Sequence, residues 1–117
     1  MLFIQYPKCS TCKKARAWLA EHGVPFEDRH IVEQNPTAEE LADWHGRSGL
    51  PLKRFFNTSG LLYKSMNLKD RLPDMPEAEQ LRLLAADGML VKRPIVVDGE
   101  TVLVGFNPAE WEAALLK

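Results

Sequence analysis

The two cysteines of the chain stand three residues apart in "YPKCSTCKKA", with basic residues on either side. Cys9 and Cys12 are the only thiols among 117 residues, and Lys8, Lys13 and Lys14 surround them. Such a pair could be redox-active, form half of a zinc site, or consist of two small core residues. Structural zinc needs about four ligands, and the three histidines are not paired with one another. The spacing therefore favours thiol chemistry.

The elements around the pair indicate which thiol would react. The apolar run "LFIQY" predicts a buried strand, and the periodic pattern that follows predicts a helix from about Cys12 to His22. Cys9 falls at or just before the helix start, where unpaired amides and the helix dipole favour an anion and lower a thiol pKa. We therefore predict that Cys9 is the nucleophile and Cys12 the resolving thiol, with Lys8, Ser10 and Thr11 as substrate-binding residues.

The order of elements predicts an α/β fold. A second strand around 26–31 completes a βαβ unit, whose two strands should be parallel. A helical insert of about 36–90 follows, beginning with a capping box from Thr37 to Glu40. The end of the chain reads as two strands and a helix, so βαβ, helical insert and ββα give a four-stranded mixed sheet flanked by helices. This is the thioredoxin-like arrangement, and we expect residues 1–117 to form a single domain.

The last elements carry their own turn and cap signals. "PIVV" and "TVLV" predict a hairpin whose two-residue turn is Asp98-Gly99. Asn107 is expected to cap the final helix, with Pro108 at its first position and Glu110 completing a second capping box.

A second set of candidate site residues precedes the "PIVV" strand. In the predicted layout Arg93 and Pro94 return beside the first helix, where Arg93 could hold an anion or remain a solvated surface residue. A cis peptide before Pro94 would direct backbone groups at Cys9, although a trans proline opening an edge strand is the commoner arrangement. Asn57 belongs to a polar stretch that either approaches the cysteines or forms an ordinary turn.

Composition excludes several classes of protein. The net charge of -1 gives no basic excess for direct binding of nucleic acid, and no apolar run approaches the length of a membrane span. The first residues show no signal-peptide pattern, so we expect a cytoplasmic protein, in which a Cys-x-x-Cys pair is more often catalytic than structural. No metal or bound cofactor is implied.

Four stretches together resemble one known family. "CSTCKKARAWLAEHGVPFEDRHI", "KRFFNTSG", "KRPIVV" and "VGFN" are similar, in this order and spacing, to the arsenate reductase (ArsC)-like family, whose relatives include the YffB-related proteins and the Spx-type regulators. The resemblance covers essentially the whole chain. It implies a thioredoxin-like fold with a helical insert, as the pattern of elements does.

The resemblance also implies a set of site residues. Arsenate reductases of this type use one cysteine, which matches Cys9, hold the oxyanion with three arginines, and depend on glutathione and glutaredoxin. Arg93 matches one arginine, whereas Asn57 and Phe106 (or Asn107, if the register slips by one) stand where the other two would be. These reductases usually lack a cysteine at the position of Cys12. Its presence favours a two-thiol cycle, with glutathione or a thioredoxin or glutaredoxin system as electron donor.

The Spx-type regulators keep a Cys-x-x-Cys pair as a redox sensor and bind the C-terminal domain of the RNA polymerase α subunit. The stretch "RFFNTSGLLYK", in contrast, fits the enzyme-like branch of the family better. We therefore expect a thiol–disulfide oxidoreductase that acts on a small thiol or a protein disulfide. An Spx-type regulator and a glutathione- and glutaredoxin-dependent arsenate reductase are the alternatives.

Overall fold

The computed structural model describes residues 1–116 as a four-stranded mixed sheet with helices on both faces. The strands occur in the order β2-β1-β3-β4, with β1 parallel to β2 and the other pairs antiparallel. This confirms the predicted thioredoxin-like α/β fold. The strands are β1 (Leu2–Gln5), β2 (Glu27–His30), β3 (Ile95–Asp98) and β4 (Thr101–Val104).

Helices α1 (Ser10–Glu21) and α6 (Pro108–Leu115) cover one face of the sheet. Helix α1 begins two residues earlier than predicted because Cys9 itself is the N-cap, while the apolar periodicity is visible only from Cys12 onward. Its end is as predicted, with Gly23 at φ +64° in the left-handed conformation that glycine tolerates.

The segment between β2 and β3 is helical. Its helices are α2 (Ala38–Ser48), α3 (Leu61–Ser65), α4 (Leu68–Arg71) and α5 (Glu77–Ala86), and short 3-10 turns occupy Leu52–Phe55, Leu72–Asp74 and Gly88–Leu90. The predicted capping box is present, because Thr37 Oγ1 accepts from the amide of Glu40 and the Glu40 carboxylate accepts from the amide of Thr37. That residues 1–117 form one domain, with an insert at about 36–90, stays a prediction.

One ion pair connects this helical segment to β2, and further contacts join the two ends of the segment. Arg29 donates to both carboxylate oxygens of Glu40, at 2.7 and 2.8 Å. This pair lowers the pKa of Glu40 to about 2, against the smaller opposing effect of burial. The two ends of the segment also meet, since Asn35 Nδ2 donates to the carbonyl of Ala85 at 2.8 Å. Beside this contact Gly88 packs so closely that a Cβ there would lie 2.2 Å from the Ile31 carbonyl oxygen.

The C-terminal hairpin corrects two details of the sequence analysis. Asp98 pairs with Thr101, so the turn consists of Gly99 and Glu100 rather than Asp98 and Gly99. Gly99 adopts φ +58°, the positive φ that a two-residue hairpin turn requires at its first position. Asn107 caps α6 as predicted, but within residues 1–116 the exposed Glu110 carboxylate makes no return bond, so the second capping box is half formed.

Alternation along β1 divides the core between the two faces of the sheet. Phe3 packs with α1 and α6 through Leu19 and Trp111, and Ile4 packs on the other face with the helical segment. Both side chains are fully buried. Because β1 is buried on both faces, its register in the sheet is fixed. Cys9 follows the last residue of β1 by four positions, so the register of β1 also sets where the chain enters the site. Within residues 1–116 no helix is long and apolar enough to cross a membrane.

Gly88→Ala is expected to destabilise the protein. The added Cβ meets a backbone carbonyl that cannot move independently, so we expect a loss of about 1–3 kcal/mol or more. Gly46→Ala is the matched control, because Gly46 lies inside α2 with nothing within 4 Å of an added Cβ and should gain about 0.5–1 kcal/mol. Urea denaturation measures both. Equal changes in the free energy of unfolding for the two substitutions would contradict the close packing at Gly88.

Glu40→Gln tests the ion pair with Arg29 while leaving the capping role, which glutamine also fulfils. Because the Glu40 side chain is 35% exposed and partly screened, we expect a loss of about 1 kcal/mol near neutral pH. The pKa of Glu40 is depressed, so this stabilisation is present above about 4.5 and disappears as the pH falls through about 2.

Unfolding by urea at a series of pH values measures this difference. The control is Glu39→Gln, which removes an exposed first-turn carboxylate one position away. A loss of the same size and pH dependence in both variants would contradict a specific role for the Arg29 pair.

Candidate active site

The β1–α1 connection holds both cysteines. Cys9 is the N-cap of α1, with extended backbone (φ −84°, ψ 124°) and a half-buried side chain. Its amide donates to the Tyr6 carbonyl at 3.0 Å, and its carbonyl accepts from the amide of Lys13 at 3.1 Å. Cys12, one turn into the helix, is fully buried. Both cysteines are present as free thiols.

Several groups act on the pKa of Cys9 in opposite directions. Burial raises the pKa, but the backbone N–H and the thiol of Cys12, the guanidinium of Arg93 and the N–H of Thr11 stabilise the thiolate. Their combined effect holds the pKa of Cys9 below its ordinary value. None of these groups is a lysine, so the main support comes from the helix start and from Arg93.

The environment of Cys12 has the opposite effect. Burial is the largest influence, and the neighbouring Cys9 adds to it, so the pKa of Cys12 is raised to about 12. The backbone N–H of Tyr6 and the charge of Arg93 oppose this shift without cancelling it. Cys9 is therefore the more acidic thiol of the pair, and Cys12 is protonated near neutral pH. This is the division of roles that the sequence predicts, and the roles themselves stay predictions.

Arg93 reaches the thiols from the segment before β3. Its guanidinium carbon lies 5.3 Å from the centre of the Tyr6 ring, and Nη1 donates to the carbonyl of Met89 at 3.3 Å. The Arg93–Pro94 peptide is cis, the first of the two arrangements that the sequence left open. Pro94 is buried, and its carbonyl accepts from the amide of Gly105 at 2.8 Å. Arg93 is thus held at the cysteines rather than free at the surface.

An open cleft of about 640 Å³ begins at Cys9. Its lining contains a polar wall from 57–60, apolar residues and two adjacent cations. The lining residues are Cys9, Thr11, Asn57, Ser59, Gly60, Leu61, Leu62, Met89, Lys92 and Arg93. Of the predicted site residues, the cleft therefore brings together Cys9, Thr11, Asn57 and Arg93. The fully buried Cys12, the exposed Lys8 and Ser10, and the buried Pro94 lie outside its lining among residues 1–116.

The loop that carries Asn57 forms the far wall of the cleft. Its attachment is a short antiparallel contact, in which the Asn57 amide donates to the Leu90 carbonyl and the Lys92 amide to the Phe55 carbonyl, both at 2.8 Å. Gly60 packs against the Asn57 side chain, since a Cβ there would lie 2.7 Å from Asn57 Nδ2 and would displace that amide. Asn57 thus belongs to a loop that both approaches the cysteines and makes a turn.

Sequence reasoning missed the apolar wall and the second cation. Lys92 precedes Arg93 directly, and its position in "VKRP" was the one available signal. Leu61 is 86% exposed at the rim of the cleft, and Met89 lies in the 3-10 turn before Arg93. No periodicity identifies such residues, because their place depends on how the loop packs against the segment before β3.

The two residues that the resemblance places at a third arginine position lie away from the cleft. Phe106 packs edge-on against Trp111 at 4.9 Å and against Trp18 at 6.4 Å. Asn107 caps α6. Neither lines the cleft, so Arg93 is the one guanidinium among its described lining residues.

Comparison with known proteins agrees with this architecture. Residues 4–114 match the ArsC family. The chain is 54% identical to the uncharacterized protein YusI of Bacillus subtilis over 112 residues, which cover 96% of this chain and 95% of YusI. A crystal structure of an ArsC-family-related protein from Bacteroides fragilis superposes with a TM-score of 0.93 at 57% identity, over 96% of this chain and 94% of that one. The global transcriptional regulator Spx of Enterococcus faecalis is 33% identical over 89% of this chain and 77% of its own length.

The pH dependence of Cys9 alkylation tests the electrostatics of the site. Because the thiolate is the reactive form and its pKa is lowered, the rate should rise with pH with a midpoint below the roughly 8.5 of a free thiol. Arg93→Met should raise that midpoint and slow alkylation several-fold below it. Iodoacetamide labelling followed by mass spectrometry measures the rate at each pH.

Lys14→Met is the control, since Lys14 is an exposed cation on the same helix and is not a major influence on Cys9. An equal shift of the alkylation midpoint in both variants would indicate a general effect of removing a positive charge rather than a specific effect of Arg93. A wild-type midpoint near the ordinary thiol value would contradict activation of Cys9.

Proposed function

The chain belongs to the ArsC family, and we propose that within it this protein is a thiol–disulfide oxidoreductase in which Cys9 attacks and Cys12 resolves. The observation that carries the proposal is the opposite effect of the structure on two thiols one helical turn apart. The pKa of Cys9 is lowered, whereas that of Cys12 is raised to about 12.

The first step is attack on a substrate disulfide. The Cys9 thiolate bonds to one sulfur of the substrate, the substrate S–S bond breaks, and the second sulfur leaves as a thiolate. The Arg93 guanidinium, which stabilises the thiolate of Cys9, also stands where negative charge moves during the exchange. The product is a mixed disulfide between Cys9 and the substrate.

The second step uses Cys12. Once Cys9 is in a disulfide it is neutral, so the two effects of Cys9 that raise the pKa of Cys12 disappear. Cys12 then loses its proton more easily and attacks Cys9 Sγ, which releases the substrate thiolate and leaves a Cys9–Cys12 disulfide. The substrate has gained two electrons and the protein has lost two. The proton of Cys12 passes to solvent or to the departing substrate thiolate. Because Cys12 stays protonated until Cys9 is in a disulfide, resolution follows attack and does not compete with it.

A second thiol must return these two electrons. We propose glutathione or a thioredoxin- or glutaredoxin-type dithiol as the donor, in a reducing cytoplasmic setting where such thiols are abundant. The substrate class is a small or protein disulfide. No bound cofactor is required, since the two thiols carry both electrons.

Arsenate reduction has less support from the site. Among the described lining residues the cleft has one guanidinium, with Asn57 in place of a second and Phe106 packed elsewhere in place of a third. Each charge-assisted hydrogen bond contributes about 1.5–3 kcal/mol, so oxyanion binding would be weak.

A redox-sensing regulator is the second candidate. The 33% identity to Spx favours it, and the same Cys9–Cys12 couple would serve as its sensor. Retention of the RNA polymerase α C-terminal domain by the immobilised protein, in one redox state only, would distinguish it from the oxidoreductase.

A trapping experiment tests the oxidoreductase directly. Cys12→Ser should accumulate a mixed disulfide on Cys9 when mixed with a small disulfide, because the second step lacks its thiol. The wild type should instead form the internal disulfide, with a midpoint potential of roughly −200 to −270 mV. Mass spectrometry and a redox titration in glutathione buffers measure the two outcomes.

Cys9→Ser is the control and should trap nothing, since Cys12 is buried and protonated. If the wild type never closes its disulfide, the two-thiol cycle is wrong and a one-cysteine route resolved by glutathione replaces it.

A further inference from the structure

A second cavity adjoins the thiol cleft. It has a volume of about 420 Å³ and is lined by Pro51, Lys53, Arg54, Phe56, Thr58 and Lys92. Lys92 lines both cavities, so they meet at its side chain. The loop after Phe56 contributes to both cavities. Asn57 and Ser59 line the thiol cleft, and Thr58 lines the second cavity.

Charge is segregated around these two cavities. The chain as a whole is almost neutral, with 15 basic and 16 acidic residues. Neither cavity, however, has a carboxylate among its described lining residues. Together they contain four cations, which we call the cationic set: Lys53, Arg54, Lys92 and Arg93.

Three of the five other arginines of the chain differ from the cationic set in their pairing. Arg16, Arg29 and Arg47 each form an ion pair with a carboxylate. Within residues 1–116 no member of the cationic set does so. Like charges gathered without counter-charges repel one another, and a bound anion relieves that repulsion. Only Arg93 has an anionic partner in the protein itself, namely the thiolate of Cys9.

We propose that the substrate of this site is a small disulfide whose tail carries phosphate groups, with the reacting sulfur at Cys9 and the phosphates at Lys53, Arg54 and Lys92. This inference rests on the oxidoreductase function proposed above and specifies its substrate class. The reaction is the same two-step exchange, so the tail takes no part in the electron transfer.

Three features favour a phosphorylated small molecule over an acidic polypeptide. The cations surround two concave cavities, each within the size range of small-molecule sites, rather than a flat surface. Arg54 offers the planar fork and Lys53 the point charge that phosphate oxygens accept, and the Thr58 hydroxyl is a further donor beside them. The apolar residues Leu61 and Leu62 would contact the uncharged part of the substrate next to its disulfide.

Single-turnover reduction of a matched set of disulfides tests the proposal. The pre-reduced protein is mixed with each of three disulfides. Coenzyme A disulfide carries phosphates, glutathione disulfide has carboxylates as its only anionic groups, and bis(2-hydroxyethyl) disulfide is uncharged. Each rate is divided by the rate of the same disulfide with free dithiothreitol, which removes differences in intrinsic reactivity. Formation of the Cys9–Cys12 disulfide is the readout.

The test variant is Lys53→Ala/Arg54→Ala, which removes two exposed charges from the second cavity without touching Cys9, Cys12 or Arg93. We expect its normalised rate with coenzyme A disulfide to fall about tenfold, since two exposed phosphate contacts are lost. Its rates with the other two disulfides should stay unchanged. The control is Lys14→Ala/Arg82→Ala, which removes two exposed cations that line neither cavity and should change none of the three rates.

Unchanged reaction with coenzyme A disulfide in the test variant would overturn the proposal. An equal loss with glutathione disulfide would also overturn it, because the cavity would then attract carboxylates as well as it attracts phosphates.

Failure of the oxidoreductase function is distinguishable, because none of the disulfides, the neutral one included, would then react with wild type. In that case calorimetry tests the binding claim by itself. Binding of coenzyme A disulfide is measured to Cys9→Ser and to the same protein that also carries Lys53→Ala/Arg54→Ala. Weaker binding in the absence of these two cations supports it, and equal binding rejects it.

Discussion

The charge that Cys9 must carry is the constraint on which the site depends. A thiolate in a half-buried position needs donors close by, and the first turn of α1 supplies them because its amides have no partners within the helix. This requires β1 to lead into α1 through a short connection, which the bond from the Cys9 amide to the Tyr6 carbonyl fixes. Burial of Leu19 against Phe3 then holds α1 on the sheet, so packing of the core sets the position of the sulfur.

The rest of the cleft is built from residues distant in the sequence. Arg93 arrives on the segment before β3, and Asn57 on a loop of the helical segment. Backbone hydrogen bonds between 55–57 and 90–92 join these two pieces into one unit that carries Asn57, Lys92 and Arg93. The antiparallel pairing of β3 with β1 places that unit beside Cys9. The chain after β1 thus carries the two thiols, and the chain before the neighbouring strand β3 carries Arg93, which acts on them.

Locally encoded features were the ones that the sequence predicted well. The position of Cys9 at a helix start, the parallel β1–β2 pair and the caps at Thr37 and Asn107 follow from short patterns with a direct physical cause. Arg93 was identifiable because the predicted topology returns its segment to α1.

Features that depend on packing between distant segments were not predictable. Lys92 and Leu61 enter the cleft through the fit of the 57–62 loop, which has neither period nor motif. The first helical residue of α1 was predicted two positions late because the apolar pattern begins only at Cys12. Lys8 and Ser10 adjoin the cysteines in sequence, yet both are exposed and outside the cleft lining. Lys8 lies in the turn before α1, and Ser10 is on the helix, where neighbouring residues face different directions.

The meeting of Asn35 with Ala85, and of Ile31 with Gly88, gives the helical segment its own closed boundary. A chain segment whose two ends touch can change in length without altering the distance that its flanking strands must span. The entropy of closing such a loop grows slowly, by about 0.6 kcal/mol for each doubling of its length. Exposed loops of this segment can therefore change in length at little entropic cost, whereas the helices that pack on Ile4, Ile95 and Val104 are tied to that face of the sheet by the buried core. The thiol pair on β1–α1 would keep its geometry while the opposite wall of the cleft, and with it the range of accepted substrates, changes independently.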